Sequence, residues 1–179
     1  MMVIIDYGIG NLHSVSKALE KLGFENQISK DPDVVEKAHA LILPGVGSFG
    51  EAIEQIEKNN LIEVIRYSVQ KEKPILGICL GLQLLFEKSQ ESTKKKGLSF
   101  IKGEVRKLPP TNKVPHMGWN KILFTENNPF QESIPNGRFF YFAHSYYVVP
   151  ESEEIVVGIS NYNVVIPVII KQNNIWGVQ

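Results

Sequence analysis

The sequence has little of what would suggest a secreted, membrane or nucleic-acid-binding protein. Cys79 is the only cysteine in 179 residues, which excludes an internal disulfide. There is no signal peptide and no apolar run of transmembrane length. Nineteen basic and nineteen acidic residues cancel, so charge favours neither nucleic acid nor an anionic membrane. We therefore expect a cytoplasmic protein whose partners must be inferred from its sites.

What is present predicts one domain, 1–179, of the α/β class. The chain is 43% hydrophobic, enough to bury roughly 70% of its unfolded surface. Apolar runs at 2–6 and 40–43 alternate with helical patterns at 12–22 and 51–71, the latter interrupted at Asn59 and Asn60. This alternation predicts a mostly parallel central sheet flanked by helices.

After position 98 the pattern becomes β-rich. Strands are predicted within 98–108, split at Gly103, and again at 155–160 and 164–170. No linker separates the two parts, so we expect an antiparallel C-terminal extension rather than a second domain. Between the parts, 88–97 contains three consecutive lysines and is predicted to be a solvated loop, and 109–112 a turn.

The segment KPILGICLGLQLLFE predicts a strand, a sharp turn at Cys79 and a helix. Glycines at 77 and 81 leave room for the strained turn of a nucleophile elbow. A sulfur at a helix N-terminus faces the positive end of the helix dipole, which favours its thiolate. The amide of Leu80 would then donate to an oxyanion formed on an attacked carbonyl. An isolated free cysteine is more often a small core residue, but the glycine frame favours a nucleophile.

A second glycine-rich loop, PGVGSFG, follows the strand at 40–43. Loops at the carboxyl ends of neighbouring parallel strands converge on one crevice, so this loop should face Cys79. Its backbone N–H groups could complete an oxyanion hole, although glycine there could also serve only the turns.

Two later segments are rich in aromatic side chains. VPHMGWN is too apolar for a plain loop, which indicates a core segment or a docked surface with equal weight. RFFYFAHSYYVVP begins as an alternating strand in which Phe140 and Phe142 pack a core, and then presents His144, Ser145 and Tyr146.

The motif GICLGLQ resembles the elbow of the class I glutamine amidotransferases, whose cysteine attacks the side-chain amide of glutamine. The resemblance implies that Cys79 is the nucleophile and that Leu80 supplies an oxyanion N–H. It also implies that Gln83 contacts the bound glutamine. From spacing alone, Gln83 could be a residue on the helix surface.

With PGVGSFG and YGIGNLHS, the sequence is similar to the family of glutaminase subunits of imidazole glycerol phosphate synthase. In that family the PGVG stretch forms the oxyanion strand and its glycines approach glutamine, which implies these roles for Gly45, Val46 and Gly47. The stretch AHSYY lines the glutamine site. The resemblance thus implies that Ser145 and Tyr146 hold the amino-acid end of glutamine, largely through backbone groups, with His144 beside them.

The family resemblance also implies a heterodimer with a (βα)₈-barrel cyclase. The first loop, with Asn11, would lie toward this partner. So would His116, Met117 and Trp119 of VPHMGWN, so that His116 is not the expected base.

The implied activity is hydrolysis of glutamine through a cysteinyl thioester, with ammonia delivered to the cyclase in histidine biosynthesis. No cofactor or metal is expected, since the four histidines show no metal-site spacing. Two alternatives remain open: a catalytically defective binding or scaffold subunit, and a class I amidotransferase that serves another synthase.

In class I amidotransferases the ending GVQ is followed by a phenylalanine and a histidine, proline, glutamate triplet, whose histidine is the base. The present sequence ends at Gln179. We expect the triad histidine and glutamate to lie beyond this position, and reduced activity in a chain that stops there.

Overall fold

The computed structural model describes residues 1–110, 113–125, 129–130 and 132–179. The helices are α1 (Leu12–Lys21), α2 (Pro32–Lys37), α3 (Phe49–Lys58), α4 (Leu61–Gln70) and α5 (Leu80–Leu84). The first seven strands are β1 (Met2–Ile5), β2 (Asn26–Ser29), β3 (Ala40–Leu43), β4 (Ile75–Ile78), β5 (Phe86–Ser89), β6 (Ser92–Lys96) and β7 (Ile101–Lys107). The others are β8 (His116–Lys121), β9 (Leu123–Phe124), β10 (Phe139–His144), β11 (Tyr146–Pro150), β12 (Val156–Asn161), β13 (Val165–Gln172) and β14 (Ile175–Val178).

The central sheet has the order β2-β1-β3-β4-β14-β13-β12-β9. Its first five strands are parallel, while β13, β12 and β9 continue it antiparallel. This confirms the predicted α/β class, with a mostly parallel sheet and a β-rich C-terminal extension. The break predicted at Asn59 and Asn60 is also present, because Asn60 takes a left-handed conformation between α3 and α4.

Strand β14 belongs to the parallel part of the sheet, although it comes last in the chain. It lies beside β4 with Val178 opposite Ile78 and Gly177 opposite Gly77. The end of β14 therefore reaches the same sheet edge as Cys79, which follows β4 directly.

The predicted loop at 88–97 is wrong. Most of this segment forms the β5–β6 hairpin, because β5 pairs parallel with β7 and antiparallel with β6. Lys95 of β6 forms an ion pair with Glu57 at 2.6 Å, so its charge is balanced by helix α3.

The predicted split at Gly103 is also wrong. Strand β7 runs through Gly103, which pairs with Pro150 of β11. A Cβ at Gly103 would meet the Val149 carbonyl at 2.3 Å, so glycine allows the two strands to lie this close. The turn predicted at 109–112 lies partly outside the described residues.

Two groups of buried side chains hold the layers together. The larger packs the helices and the parallel strands, with Tyr7, Phe49 and Phe86 fully buried. The smaller lies under the antiparallel part and contains Phe142 and Ile166. Within the described residues, no helix is both long and apolar enough to cross a membrane.

Candidate active site

Cys79 lies on a strained turn between β4 and α5. Its backbone has φ 52° and ψ −110°, a conformation that costs a non-glycine residue about 1 to 3 kcal/mol. Flanking glycines are required because a Cβ at Gly77 would meet the Gly81 carbonyl at 2.7 Å, and one at Gly81 would meet the Leu43 carbonyl at 1.7 Å. This geometry confirms the strand, sharp turn and helix that the sequence predicts around Cys79.

The sulfur of Cys79 receives two stabilising contacts. The backbone N–H of Leu80 donates to it, and the Gln179 side-chain amide lies 3.3 Å from Sγ. Burial nevertheless outweighs both contacts and raises the pKa of the Cys79 thiol above its ordinary value. The helix that follows has only five residues, so its dipole is small. The elbow by itself thus leaves the sulfur largely protonated near neutral pH.

A cavity of about 280 Å³ opens beside this sulfur. It is lined by residues from the PGVG loop, the elbow, the β5–β6 turn and the β8 and β10 strands. Of the residues with predicted catalytic or substrate-binding roles, seven line it together with Cys79, and they are Val46, Gly47, Leu80, Gln83, His144, Ser145 and Tyr146. Chain segments that are far apart in sequence thus meet at one site.

The PGVG loop is held against the elbow. Gly45 is buried, and a Cβ there would lie 2.7 Å from the Leu80 Cβ and 2.9 Å from the Gly81 nitrogen. Gly45 therefore packs against Leu80 and Gly81 of the elbow. It is not one of the residues that line the cavity. Val46 is exposed and Gly47 takes φ 93°, and both residues line the cavity.

Gln83 is 4% exposed, so the alternative that it is a helix-surface residue is wrong. Its Nε2 donates to the carbonyl of Tyr146 at 3.2 Å and to Oε1 of Gln179 at 3.1 Å. The same Tyr146 carbonyl accepts a 2.9 Å hydrogen bond from Nδ1 of His144. Gln83 thereby joins the elbow helix to the β10–β11 corner.

Three of the four residues predicted to face a partner lie at the surface. Met117 and Trp119 are 64% and 71% exposed, and Asn11 lies at a second depression on the other side of Cys79. His116 differs, because its side chain is 3% exposed and its Nδ1 lies 3.0 Å from Nε2 of His144. Strand alternation turns His116 inward while its neighbour Met117 points outward, so a direct partner contact by His116 is wrong.

Glu91 is a site residue that the sequence does not reveal. It lies in the β5–β6 turn and lines the cavity, where its Oε2 accepts a 2.7 Å hydrogen bond from the Phe49 amide. Among the described residues it is the only carboxylate that lines this cavity. Its segment is lysine-rich and predicted to be a solvated loop, so only the hairpin geometry brings it here.

Known proteins match the whole chain. A family model described as glutamine amidotransferase class-I covers residues 3–179. Imidazole glycerol phosphate synthase subunit HisH of Moorella thermoacetica is 46% identical over 178 residues, which are 99% of this chain and 85% of that protein. The HisH of Aquifex aeolicus is 53% identical over 161 residues, 89% of this chain and 78% of its own length.

Solved structures agree on the fold. A crystal structure of a glutamine amidotransferase has a TM-score of 0.79 at 17% identity and covers 98% of this chain and 87% of its own. The structure of PurLQS from Thermotoga maritima has a TM-score of 0.69 at 20% identity, covering 99% and 85%. The sequence matches show that this chain belongs to the class I glutamine amidotransferase family and, within it, to the HisH subunits of imidazole glycerol phosphate synthase.

Proposed function

We propose that this protein is the glutaminase subunit of imidazole glycerol phosphate synthase and acts in the cytoplasm as one amidotransferase domain. Cys79 Sγ attacks the carboxamide carbon of glutamine, and the thiol proton passes through a base to the departing nitrogen. The C–N bond breaks, leaving ammonia and a glutamyl thioester. Water then cleaves the C–S bond, giving glutamate and free Cys79. The observation that carries this proposal is the strained Cys79 elbow at the wall of an open cavity.

An oxyanion on the attacked carbon needs N–H donors that are already in place. Leu80 supplies one from the start of α5, since its amide points toward the sulfur. Val46 and Gly47 also line the cavity. We assign them the second donor, because the glycine at 47 can orient its peptide groups without a Cβ penalty.

The amino-acid end of glutamine carries an ammonium and a carboxylate. Glu91 is placed to pair with the ammonium, since it is a carboxylate at the cavity wall. Gln83, Ser145 and Tyr146 line the same cavity and hold the remainder of the substrate, with His144 beside them. Because residue 45 is glycine, the PGVG loop can pack directly against Leu80 and Gly81 beside this site.

The base is assigned to a histidine that follows Gln179, as the family resemblance implies. Strand β14 places Gln179 beside Cys79, with the Gln179 side-chain amide 3.3 Å from Sγ. His144 is unsuited to the role, since Nδ1 donates to the Tyr146 carbonyl and Nε2 is occupied by His116.

The proposed partner is a (βα)₈-barrel cyclase that receives the ammonia. Strands β8 and β10 pair so that Trp119 lies opposite Tyr141, with their rings 5.8 Å apart. Phe139 and Tyr141 are 52% and 56% exposed, and together with Met117 and Trp119 they form an exposed apolar face. Met117 also lines the cavity at Cys79, so a partner seated on this face would lie next to the released ammonia.

Labelling by a glutamine-analogue electrophile tests the nucleophile. We expect intact mass spectrometry to show one adduct on the wild-type chain, blocked by excess glutamine and absent from Cys79→Ser. Glu91→Gln is the matched substrate variant: it should raise the glutamine concentration needed for protection while leaving alkylation by iodoacetamide unchanged. An adduct on Cys79→Ser would overturn the assignment.

A further inference from the structure

Two buried histidines that take no part in the catalytic step lie at the glutamine site: His144 lines the cavity, and His116 contacts His144 without lining it. His116 of β8 and His144 of β10 are directly opposite each other and are 3% and 6% exposed. Nδ1 of His116 lies 3.0 Å from Nε2 of His144. His116 also stacks on Phe142 and Tyr162, with ring centroids 5.0 and 3.9 Å apart.

The hydrogen-bond partners fix which nitrogen of each ring carries the proton. The Tyr146 carbonyl can only accept, so Nδ1 of His144 is protonated and its Nε2 is an acceptor. Nδ1 of His116 must then donate to it, which leaves Nε2 of His116 as the acceptor for the Asn120 amide at 3.4 Å. Both rings are therefore neutral Nδ1–H tautomers.

The orientation of Asn120 is itself determined. Its Oδ1 accepts from the Lys121 amide at 2.8 Å, and its Nδ2 donates to the Asn161 carbonyl at 2.9 Å. Each group in the series of hydrogen bonds that links the Asn161 carbonyl to the Tyr146 carbonyl thus has a defined role as donor or acceptor. Burial lowers the pKa of His144 to about 4, which keeps the pair neutral at physiological pH.

The series of hydrogen bonds ends at the carbonyl of Tyr146, a residue that lines the cavity. Tyr146 follows Ser145, where the chain leaves β10 for β11 and changes sheet. Its carbonyl accepts from Gln83 as well as from His144. Gln83 in turn contacts Gln179, whose amide reaches Cys79 Sγ. The position of this carbonyl therefore sets both the corner that lines the cavity and the orientation of Gln83.

We propose that His116 is a positioning residue for glutamine binding: acting through His144, it holds the Tyr146 carbonyl and so orders the Ser145–Tyr146 corner and Gln83. This inference rests on the proposed glutaminase function. A role limited to filling the core would need only the aromatic rings, whereas positioning needs the Nδ1–H of His116.

Two substitutions separate these roles. His116→Phe keeps a ring stacked on Phe142 and Tyr162 but removes the donor. His116→Asn loses the ring but places an amide N–H near the former Nδ1. In complex with the cyclase, we expect His116→Phe to raise the glutamine concentration for half-protection of Cys79 from iodoacetamide about three- to tenfold. His116→Asn should stay within about twofold of wild type, and the alkylation rate without glutamine should not change.

The wild-type complex provides a test that does not depend on variant folding. Long-range ¹H–¹⁵N spectra should show the imidazoles of His116 and His144 as Nδ1–H tautomers. An Nε2–H tautomer at either ring, or equal glutamine protection in wild type and His116→Phe, would overturn the positioning role alone. Absence of glutamine protection in wild type would instead overturn the glutamine site, and this inference with it.

Discussion

The hydroxyl of Tyr7 donates a 2.6 Å hydrogen bond to the carbonyl of Pro44, at the start of the PGVG loop. Tyr7 is fully buried, and burial raises its pKa, so the phenol stays protonated and keeps its donor. A Cβ at Gly45 would lie 2.8 Å from the hydroxyl oxygen of Tyr7. One side chain from the segment that follows β1 therefore sets where the loop passes the elbow.

Tyr7→Phe should weaken both the fold and the reaction. The Pro44 carbonyl loses its donor in a buried position, which costs about 1 to 3 kcal/mol of unfolding free energy. We expect kcat/KM for glutamine to fall about three- to thirtyfold, because the loop loses its anchor. Urea unfolding and steady-state glutaminase assays measure the two effects. Tyr67→Phe, on an exposed face, is the matched control and should alter neither; similar values for both variants would contradict the anchoring role.

Gly81→Ala tests the close packing of the elbow. The added Cβ would lie 1.7 Å from the Leu43 carbonyl, so either β3 or α5 must move. We expect a loss of at least about 3 kcal/mol in unfolding free energy and no labelling of Cys79. Gly23→Ala is the control: its φ of 81° is strained but nothing lies within 4 Å, so it should cost only about 1 kcal/mol. Equal losses at both glycines would mean that the contact is unimportant.

Stability should depend on pH through His144. Its pKa is lowered from 6.5 to about 4 in the folded state by burial, so between these values the unfolded chain binds more protons. The unfolding free energy should therefore fall as pH drops from 6.5 to 4, by roughly 2 to 3 kcal/mol. Burial lowers the pKa of His116 in the same direction. Urea unfolding from pH 4 to 7.5 measures this dependence. In His144→Gln the unfolding free energy should vary less with pH. An unchanged pH dependence in that variant would mean that other groups cause it.

Trp119 should contribute more to partner binding than to the fold. It is 71% exposed and central in the apolar face of β8 and β10. We expect Trp119→Ala to weaken the affinity for the cyclase at least about thirtyfold while leaving Cys79 labelling intact. Leu22→Ala, at an equally exposed apolar residue after α1, should leave affinity unchanged. Equal affinity of wild type and Trp119→Ala by calorimetry would exclude this face as the interface.

The elbow and the PGVG loop could be predicted because their requirements are local. A strand that stops at Cys79 between two glycines allows few conformations, and a loop at the end of a neighbouring parallel strand must share its edge. Glu91 could not be predicted, because its position depends on hairpin pairing of a lysine-rich segment with β7. His116 and His144 are 28 residues apart, and only the register of β8 with β10 brings them into contact. The positions of these side chains therefore depend on strand pairing between distant segments, which local sequence patterns do not determine.

The protonation state of the Cys79 sulfur makes a general base necessary for the reaction. Burial raises the pKa of Cys79, with Leu80 and Gln179 offsetting this only in part. Attack then requires a group that takes the thiol proton and returns it to the leaving nitrogen, typically worth about 10² to 10⁴ in rate. Both ring nitrogens of His144 are hydrogen-bonded, one to His116 and the other to the Tyr146 carbonyl. His144 therefore cannot act as the base without breaking the hydrogen bonds that order the site.

A polypeptide ending at Gln179 should therefore hydrolyse glutamine at least about a hundredfold more slowly than one extended by phenylalanine, histidine, proline and glutamate. Both should bind glutamine with similar affinity, because the residues of the cavity wall are common to them. Steady-state assays of the two lengths with the cyclase present decide the question, and replacing the added histidine by glutamine is the matched control. Equal turnover at both lengths would mean that a group within 1–179 is the base, and His144→Gln in the shorter polypeptide would show whether it is His144.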